Sequence, residues 1–101
     1  MNDQAKLNRQ ETNRYQILKI FYDIAASNGS GIAIINTDRL IARVVENGLM
    51  SQDEANSAFA RLIDENLLSL DDVAFGHTKI THFGIKKIED FIKYPDQPNV
   101  F

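Results

Sequence analysis

Apolar residues recur every three or four positions in four stretches of the chain, and this spacing predicts four amphipathic α-helices. The predicted helices span residues 11–27, 38–47, 52–66 and 82–93. Their inward-facing residues are expected to be Ile17, Leu18, Ile20, Phe21, Ile24, Ala25, Leu40, Ile41, Val44, Val45, Ala55, Ala58, Phe59, Leu62, Ile63, Ile85, Ile88, Phe91 and Ile92. These side chains are enough to bury a single modest core.

Turn-forming and capping residues mark where the first three helices begin and end. The segment Ser27–Gly31 consists of turn formers and ends the first helix, and Gly48 supplies a left-handed stop to the second. Ser51 and Glu54 have the Ser-x-x-Glu spacing of a capping box, in which each side chain accepts a hydrogen bond from the other residue's backbone N–H. We therefore expect the third helix to begin directly after Ser51.

Short apolar stretches between the helices predict β-strands. Residues 32–35 form a four-residue apolar run between turn formers, which favours a buried strand, although a buried helical segment has the same pattern. Residues 67–80 are best explained by two short strands joined by a polar or glycine-containing turn, and this pattern predicts a two-stranded hairpin. Thr81 is placed to cap the last helix, and Gly84 in its first turn is expected to be a mild cost.

The predicted elements make an α+β fold that is mostly helical, in the order helix, strand, helix, helix, two-stranded hairpin, helix. At 101 residues, the chain has the length of one domain. We expect this domain at residues 14–93. A polar N-terminal segment at residues 1–13 precedes it, and its first ten residues are either a frayed helix start or a short tail. A C-terminal tail at residues 94–101, which contains both prolines, follows the domain.

The tight turn at Gly48 between the second and third helices is helix-turn-helix geometry, and adding the hairpin makes a winged helix. Residues 48–70, GLMSQDEANSAFARLIDENLLSL, resemble the stretch that leads from the third helix into the wing of many small bacterial winged-helix proteins. Residues 80–85, ITHFGI, resemble the segment that closes the wing and opens the final helix in PadR-like and YjcQ-like proteins. The resemblance covers about residues 14–93. It implies a winged helix-turn-helix that acts as a small transcription regulator and inserts its third helix into the DNA major groove.

Composition and charge exclude several classes of protein. Because the chain has no cysteine, it has no disulfide, no thiolate chemistry and no cysteine-ligated metal. Its longest apolar run, residues 32–35, is too short to cross a bilayer, and nothing resembles a signal peptide, so we expect a cytoplasmic protein without a membrane partner. The net charge of −3 excludes a generally basic nucleic-acid binder.

The third helix and the wing carry the candidate contacts to DNA. Gln52 and Asn56 can hydrogen-bond adenine in a bidentate manner, and Arg61 can contact guanine or phosphate. Ser57 lies on the predicted outward face of the helix, and Lys79 of the wing is the candidate contact to a phosphate. These five residues are the predicted DNA-binding set.

Acidic residues are concentrated in the segment that would bind DNA. Residues 36–66 carry three arginines against six aspartates and glutamates, so this segment alone has a net charge of −3. Asp53 and Asp64 would lie beside phosphate oxygens, and the wing contains Asp71 and Asp72 against a single lysine. We therefore expect a DNA complex to be weak or to need a partner. The alternative function is a winged-helix protein-interaction or adaptor module that does not bind DNA.

Two tyrosines of the first helix predict a protein contact. Tyr15 and Tyr22 are seven residues apart, with Lys19 between them, on the face predicted to lie opposite the core. Tyrosine is enriched in protein interfaces, so these three residues are the candidate interface with a second copy or with another protein. In the alternative interpretation, the N-terminal segment or the C-terminal tail covers both tyrosines.

The remaining polar residues form no recognisable catalytic or metal-binding pattern. His77 and His82 have neither neighbouring cysteines nor a ligand spacing, and Asp71 and Asp72 are typical of a solvated turn. The segment Gly29–Gly31 lacks the other residues of a phosphate loop. We therefore expect no enzymatic activity, no catalytic residue, no metal and no cofactor.

Overall fold

The described part of the chain folds into four helices and three short strands. The structure is a computed structural model that describes residues 3–29, 32–71, 73 and 75–94, with side chains from residue 8 onward. The elements are α1 (Asp3–Asn28), β1 (Ile34–Asn36), α2 (Thr37–Glu46), α3 (Gln52–Asp64), β2 (Leu68–Leu70), β3 (His77–Ile80) and α4 (His82–Lys93). This is the mostly helical α+β architecture that the sequence predicts, in the predicted order. Of the predicted C-terminal tail, only Tyr94 lies within the described residues.

The three strands form one antiparallel sheet in the order β1-β3-β2. The predicted hairpin of β2 and β3 is confirmed, and β1 pairs with the other edge of β3, with Ile35 opposite Thr78. The backbone N–H of Thr37 donates to the carbonyl oxygen of Gly76, 2.9 Å away, just beyond this pairing. The central strand β3 therefore ties the hairpin to the start of α2.

The hydrophobic core lies where α1 packs against α3 and α4. The fully buried side chains at its centre are Ile17, Leu18, Phe21, Leu62 and Ile88. The rings of Phe21 and Phe59 meet edge to face, with centroids 6.3 Å apart. Since burying one such side chain contributes about 1.5–3 kcal/mol, this cluster is the main stabilising contact between the helices.

The predicted helix caps are confirmed. Ser51 Oγ accepts a hydrogen bond of 3.2 Å from the N–H of Glu54, and Glu54 Oε1 accepts one of 3.0 Å from the N–H of Ser51. Thr81 Oγ1 accepts a hydrogen bond from the N–H of Gly84 at the start of α4. Gly48 has a φ of +73°, the left-handed conformation expected after α2.

The first helix is longer than the sequence pattern predicts. It begins at Asp3 rather than near Glu11, so it includes most of the polar N-terminal segment that was predicted at residues 1–13. Residues 3–10 are mostly polar, so apolar residues do not recur there at the spacing of a helix. The pattern of apolar positions therefore does not predict that they are helical. The strand β1 also differs, since it spans Ile34–Asn36 rather than residues 32–35. The predicted burial of this run was wrong for Ile32 and Ile34, which are both exposed, whereas Ala33 is buried.

Two residues assigned to the core lie at its edge. Ile24 of α1 is 37% exposed and Ile92 of α4 is 51% exposed, so both assignments were wrong. On α1, Leu18, Phe21 and Ala25 are buried on one face of the helix. Ile24 lies at the edge of that face. A helical wheel gives the apolar arc but not the part of it that neighbouring helices cover.

Gly84 is a packing requirement rather than the mild cost expected from its helix propensity. It is buried, and a Cβ atom built on it would lie 2.2 Å from the carbonyl oxygen of Leu67 and 2.8 Å from the side chain of Ile80. The N–H of Thr81 also donates to the same carbonyl, over 3.2 Å. The first turn of α4 therefore packs directly on the backbone that leaves α3.

Candidate binding surface of α3 and the β2–β3 hairpin

The outward face of α3 carries four of the five residues predicted to contact DNA. Gln52, Asn56, Ser57 and Arg61 are all exposed. The helical wheel predicts Ser57 on the outward face and Asn56 and Arg61 on its two flanks. Their roles in binding stay predictions. The same face also exposes Asp53, Ala60 and Asp64. It therefore presents two carboxylates and a small apolar side chain beside the amide groups of Gln52 and Asn56.

Each cation of the predicted DNA-binding set lies beside a carboxylate of the same chain. The guanidinium group of Arg61 donates from Nε to Glu65 Oε1 over 2.6 Å, and this contact raises the pKa of Arg61. In the hairpin, Lys79 Nζ lies 3.8 Å from Asp71 Oδ1. Both cations therefore have their charge locally compensated before any partner approaches.

The start of α3 is fixed to α1 by Glu54. Its carboxylate accepts two hydrogen bonds from the guanidinium group of Arg9, one of them 3.0 Å from Nη2 to Oε1, and a third of 3.1 Å from Asn13 Nδ2. The bond to Arg9 is the largest cause that holds the pKa of Glu54 far below its ordinary value, and the backbone N–H of Ser51 is the next. The same bond raises the pKa of Arg9.

Sequence reasoning assigned Glu54 to the capping box but missed Arg9 and Asn13. They are four residues apart, so they share one face of α1, and this spacing is the only signal that the sequence carries. Their partner lies 45 and 41 positions further along the chain, and only the tertiary fold brings the three together.

The tip of the β2–β3 hairpin exposes large apolar side chains. Phe75 is 99% exposed and Val73 is 94% exposed, while Leu70 at the end of β2 is 60% exposed. The sequence pattern predicted a polar or glycine-containing turn and did not single out these two tip residues. Large, fully exposed apolar side chains that lie close together mark contact sites more often than isolated ones do.

A groove of about 350 Å³ separates the N-terminal half of α1 from α3. The residues that line it include Gln10, Asn13, Arg14, Ser57, Ala58 and Arg61. Arg14 is only 9% exposed, and its Nε has no hydrogen-bond partner among the described residues. Burial, and next the nearby Arg61, lower the pKa of Arg14. Sequence reasoning gave Arg14 no role.

The tyrosines of α1 do not lie opposite the core, which corrects the predicted orientation. Tyr15 and Tyr22 are both partly buried, and the ring of Tyr15 packs on Phe91 of α4 with centroids 4.7 Å apart. Lys19 bonds Asp23 over 2.6 Å and places its Nζ 5.9 Å from the ring centre of Tyr22. The tyrosines flank the buried arc on the side of α4, so α4 covers Tyr15. An interface at Tyr15, Lys19 and Tyr22 stays a prediction.

The described residues contain no group of three or more His, Asp or Glu side chains that could hold a metal ion. In the same part of the chain, none of the helices combines the length and the apolar character that crossing a bilayer requires.

Compared with known protein families, curated proteins and solved structures, the chain has no match. The physical character of the surface is therefore the basis for assigning a function.

Proposed function

We propose that the protein is a small winged-helix module that binds a protein partner through the outward face of α3 and the tip of the β2–β3 hairpin. The observation that carries the proposal is the surface itself. It is acidic along α3 and apolar at the hairpin tip, and both of its cations face carboxylates of the same chain.

The charge of α3 supports a partner other than DNA. Asp53 and Asp64 are exposed on the outward face, whereas Arg61 is paired with Glu65. Surface ion pairs contribute only about 0–1 kcal/mol, so a strong ligand can break this one. If it breaks, the carboxylates of Asp53, Asp64 and Glu65 still outnumber the guanidinium group of Arg61. The net negative charge of this face would repel a phosphate backbone.

The hairpin tip supports a partner with an apolar pocket. Phe75 and Val73 expose nearly their whole side chains, and Phe75 offers the rigid aromatic group that anchors many protein interfaces. A surface with an apolar cleft ringed by lysines or arginines would complement both the tip and the acidic face of α3. We expect Phe75 to contribute most to the affinity and the carboxylates to contribute mostly to the association rate.

DNA binding is the second candidate, and one observation favours it. Gln52, Asn56 and Ser57 lie exposed on one helix, which is the set of amide and hydroxyl groups that can contact bases in the major groove. The element order is also compatible with a small winged helix, a class in which the third helix enters the groove.

Photo-crosslinking separates the two candidates. A photoreactive phenylalanine analogue replaces Phe75 in one protein and Phe83 in another, since Phe83 is also exposed, at 63%, but lies on α4. We expect a protein adduct that forms only from position 75. The captured partner, once purified, should bind the Phe75→Ser variant at least ten times more weakly than wild type and the Phe83→Ser variant as well as wild type.

Two results would count against the proposal. One is that position 75 yields DNA adducts. The other is that Phe75→Ser and Phe83→Ser bind the captured protein with equal affinity, since the hairpin tip would then not be the contact.

A further inference from the structure

Arg14 lies in the wall of the groove between α1 and α3, and its guanidinium group makes no ion pair in the part of the chain that the structure describes. Glu65 and Glu11 are close enough to raise its pKa, but burial and Arg61 outweigh them and lower it. The side chain is more than nine-tenths buried, yet its Nε has no hydrogen-bond partner in the described residues. The other two arginines of the groove differ, because Arg9 is bonded to Glu54 and Arg61 to Glu65. A buried guanidinium group that is not directly paired with a carboxylate is costly, and this cost marks Arg14 as a candidate ligand-binding group.

We propose that this groove binds a small carboxylate ligand, whose carboxylate group pairs with the guanidinium group of Arg14 between α1 and α3. The volume of about 350 Å³ is within the range of small-molecule sites. Arginine is suited to the task, since its planar fork binds a carboxylate through two parallel hydrogen bonds. The groove shares Asp53, Ser57 and Arg61 with the outward face of α3. The proposal does not rest on the proposed function, because it depends on Arg14 of α1, which is not part of that face.

Other groups in the groove would complete the site. Arg61 lies close enough to lower the pKa of Arg14, and an anion placed between the two would relieve their repulsion. Asn13 and Ser57 also line the groove, and their amide and hydroxyl groups can bond polar groups on the body of the ligand. Ala58 contributes apolar surface.

The charges around the groove favour a ligand with one negative charge. Asp53 also lines the groove, is exposed, and is the carboxylate there that is not bonded to an arginine. It opposes a second negative charge on the ligand. A monocarboxylate therefore fits better than a phosphate, which carries between one and two charges at neutral pH.

Nuclear magnetic resonance tests the proposal on the wild-type chain. The Nε–H of Arg14 is shielded from solvent, so its signal can be followed while sodium acetate, sodium phosphate or sodium chloride is added at matched ionic strength. We expect acetate to shift this signal and the backbone amides of Asn13 and Ser57 with saturation in the millimolar range. Phosphate should act at least threefold more weakly, and chloride should have no saturable effect.

Variants separate a site from a general salt effect. Arg61→Gln should weaken acetate binding at least threefold, and Asp53→Asn should strengthen it. Arg39→Gln should leave it unchanged, because Arg39 is exposed on α2 outside the groove. Arg14→Met should abolish it.

Three results would overturn the proposal. The first is that acetate and chloride shift the Arg14 Nε–H signal equally. The second is that Arg61→Gln and Arg39→Gln change the affinity for acetate by the same factor. The third is that the backbone amide of Ser57 still responds to acetate in a folded Arg14→Met variant. Where Arg14→Met does not fold, the wild-type Nε–H signal and the Arg61→Gln variant decide the question alone. A stronger response to phosphate than to acetate would overturn the assignment to a monocarboxylate.

Discussion

Arg9 and Glu54 are 45 positions apart in sequence, yet two hydrogen bonds join the guanidinium group of one to the carboxylate of the other. Glu54 is also the third residue of α3 and the second member of its capping box. One carboxylate thus fixes the start of α3 and attaches it to the polar first turns of α1. The contact adds a polar tie to the apolar packing that holds α3 on α1.

Replacing Glu54 should destabilise the fold more than replacing the acidic residue beside it. Glu54→Ala removes a capping interaction together with the bonds from Arg9 and Asn13, so we expect a loss of about 1–2 kcal/mol in urea unfolding. Asp53→Asn is the matched control. It removes a charge from the same first turn, but its side chain makes no hydrogen bond in the described residues, and we expect a change within about 0.5 kcal/mol. Equal losses for the two variants would mean that Glu54 acts only as a charge near the helix N-terminus.

Stability should fall in acid because of the same carboxylate. The pKa of Glu54 is far lower in the folded chain than its ordinary value of 4.5, so the unfolded chain binds more protons in the interval between the two values. The stabilisation is complete above about pH 4.5 and is lost progressively as the pH falls below it. Urea unfolding of wild type and Glu54→Gln between pH 7 and pH 3 tests this. The gap between the two should narrow below pH 4.5, and a gap that is constant down to pH 3 would contradict the assigned shift.

Gly84→Ala should be more damaging than Gly48→Ala, although Gly48 has the left-handed backbone. At Gly84 the added methyl group would lie 2.2 Å from a backbone oxygen, and neither the first turn of α4 nor the segment after α3 can move without disturbing the core. We expect a loss of about 2–3 kcal/mol by overpacking. At Gly48 there is open space around the added atom, so only the conformational cost of about 1 kcal/mol applies. Thermal unfolding of both variants measures the order, and a larger loss at Gly48 would contradict the packing of α4.

Local features of the fold follow from the sequence, and contacts between distant elements do not. The capping residues Ser51 and Thr81 act within three residues of themselves, so their spacing predicts helix starts that the structure confirms. The position of α4 is different. It covers Tyr15 and requires a glycine at position 84, and both facts depend on how two helices meet rather than on either helix alone.

The sequence predicts the negative charge of the candidate binding surface, but it does not predict which of its charged side chains form ion pairs. The acidity of α3 is read directly from Asp53 and Asp64, and the structure exposes both. The apolar tip at Phe75 was missed, because a short apolar run near glycine is also typical of a strand. The unpaired state of Arg14 was not predictable, since it arises from burial between two helices.

A titration with mixed-sequence duplex DNA at about 50 mM salt, where electrostatic affinity is greatest, tests the central claim that α3 and the hairpin bind protein rather than DNA. Fluorescence anisotropy of a labelled duplex gives the affinity of wild type, of Arg61→Gln and of the double variant Asp53→Asn with Asp64→Asn. We predict no saturable binding by wild type or by Arg61→Gln, and measurable binding only when both aspartates are removed. Saturable binding by wild type that Arg61→Gln weakens at least threefold would contradict the claim and make α3 a DNA-reading helix.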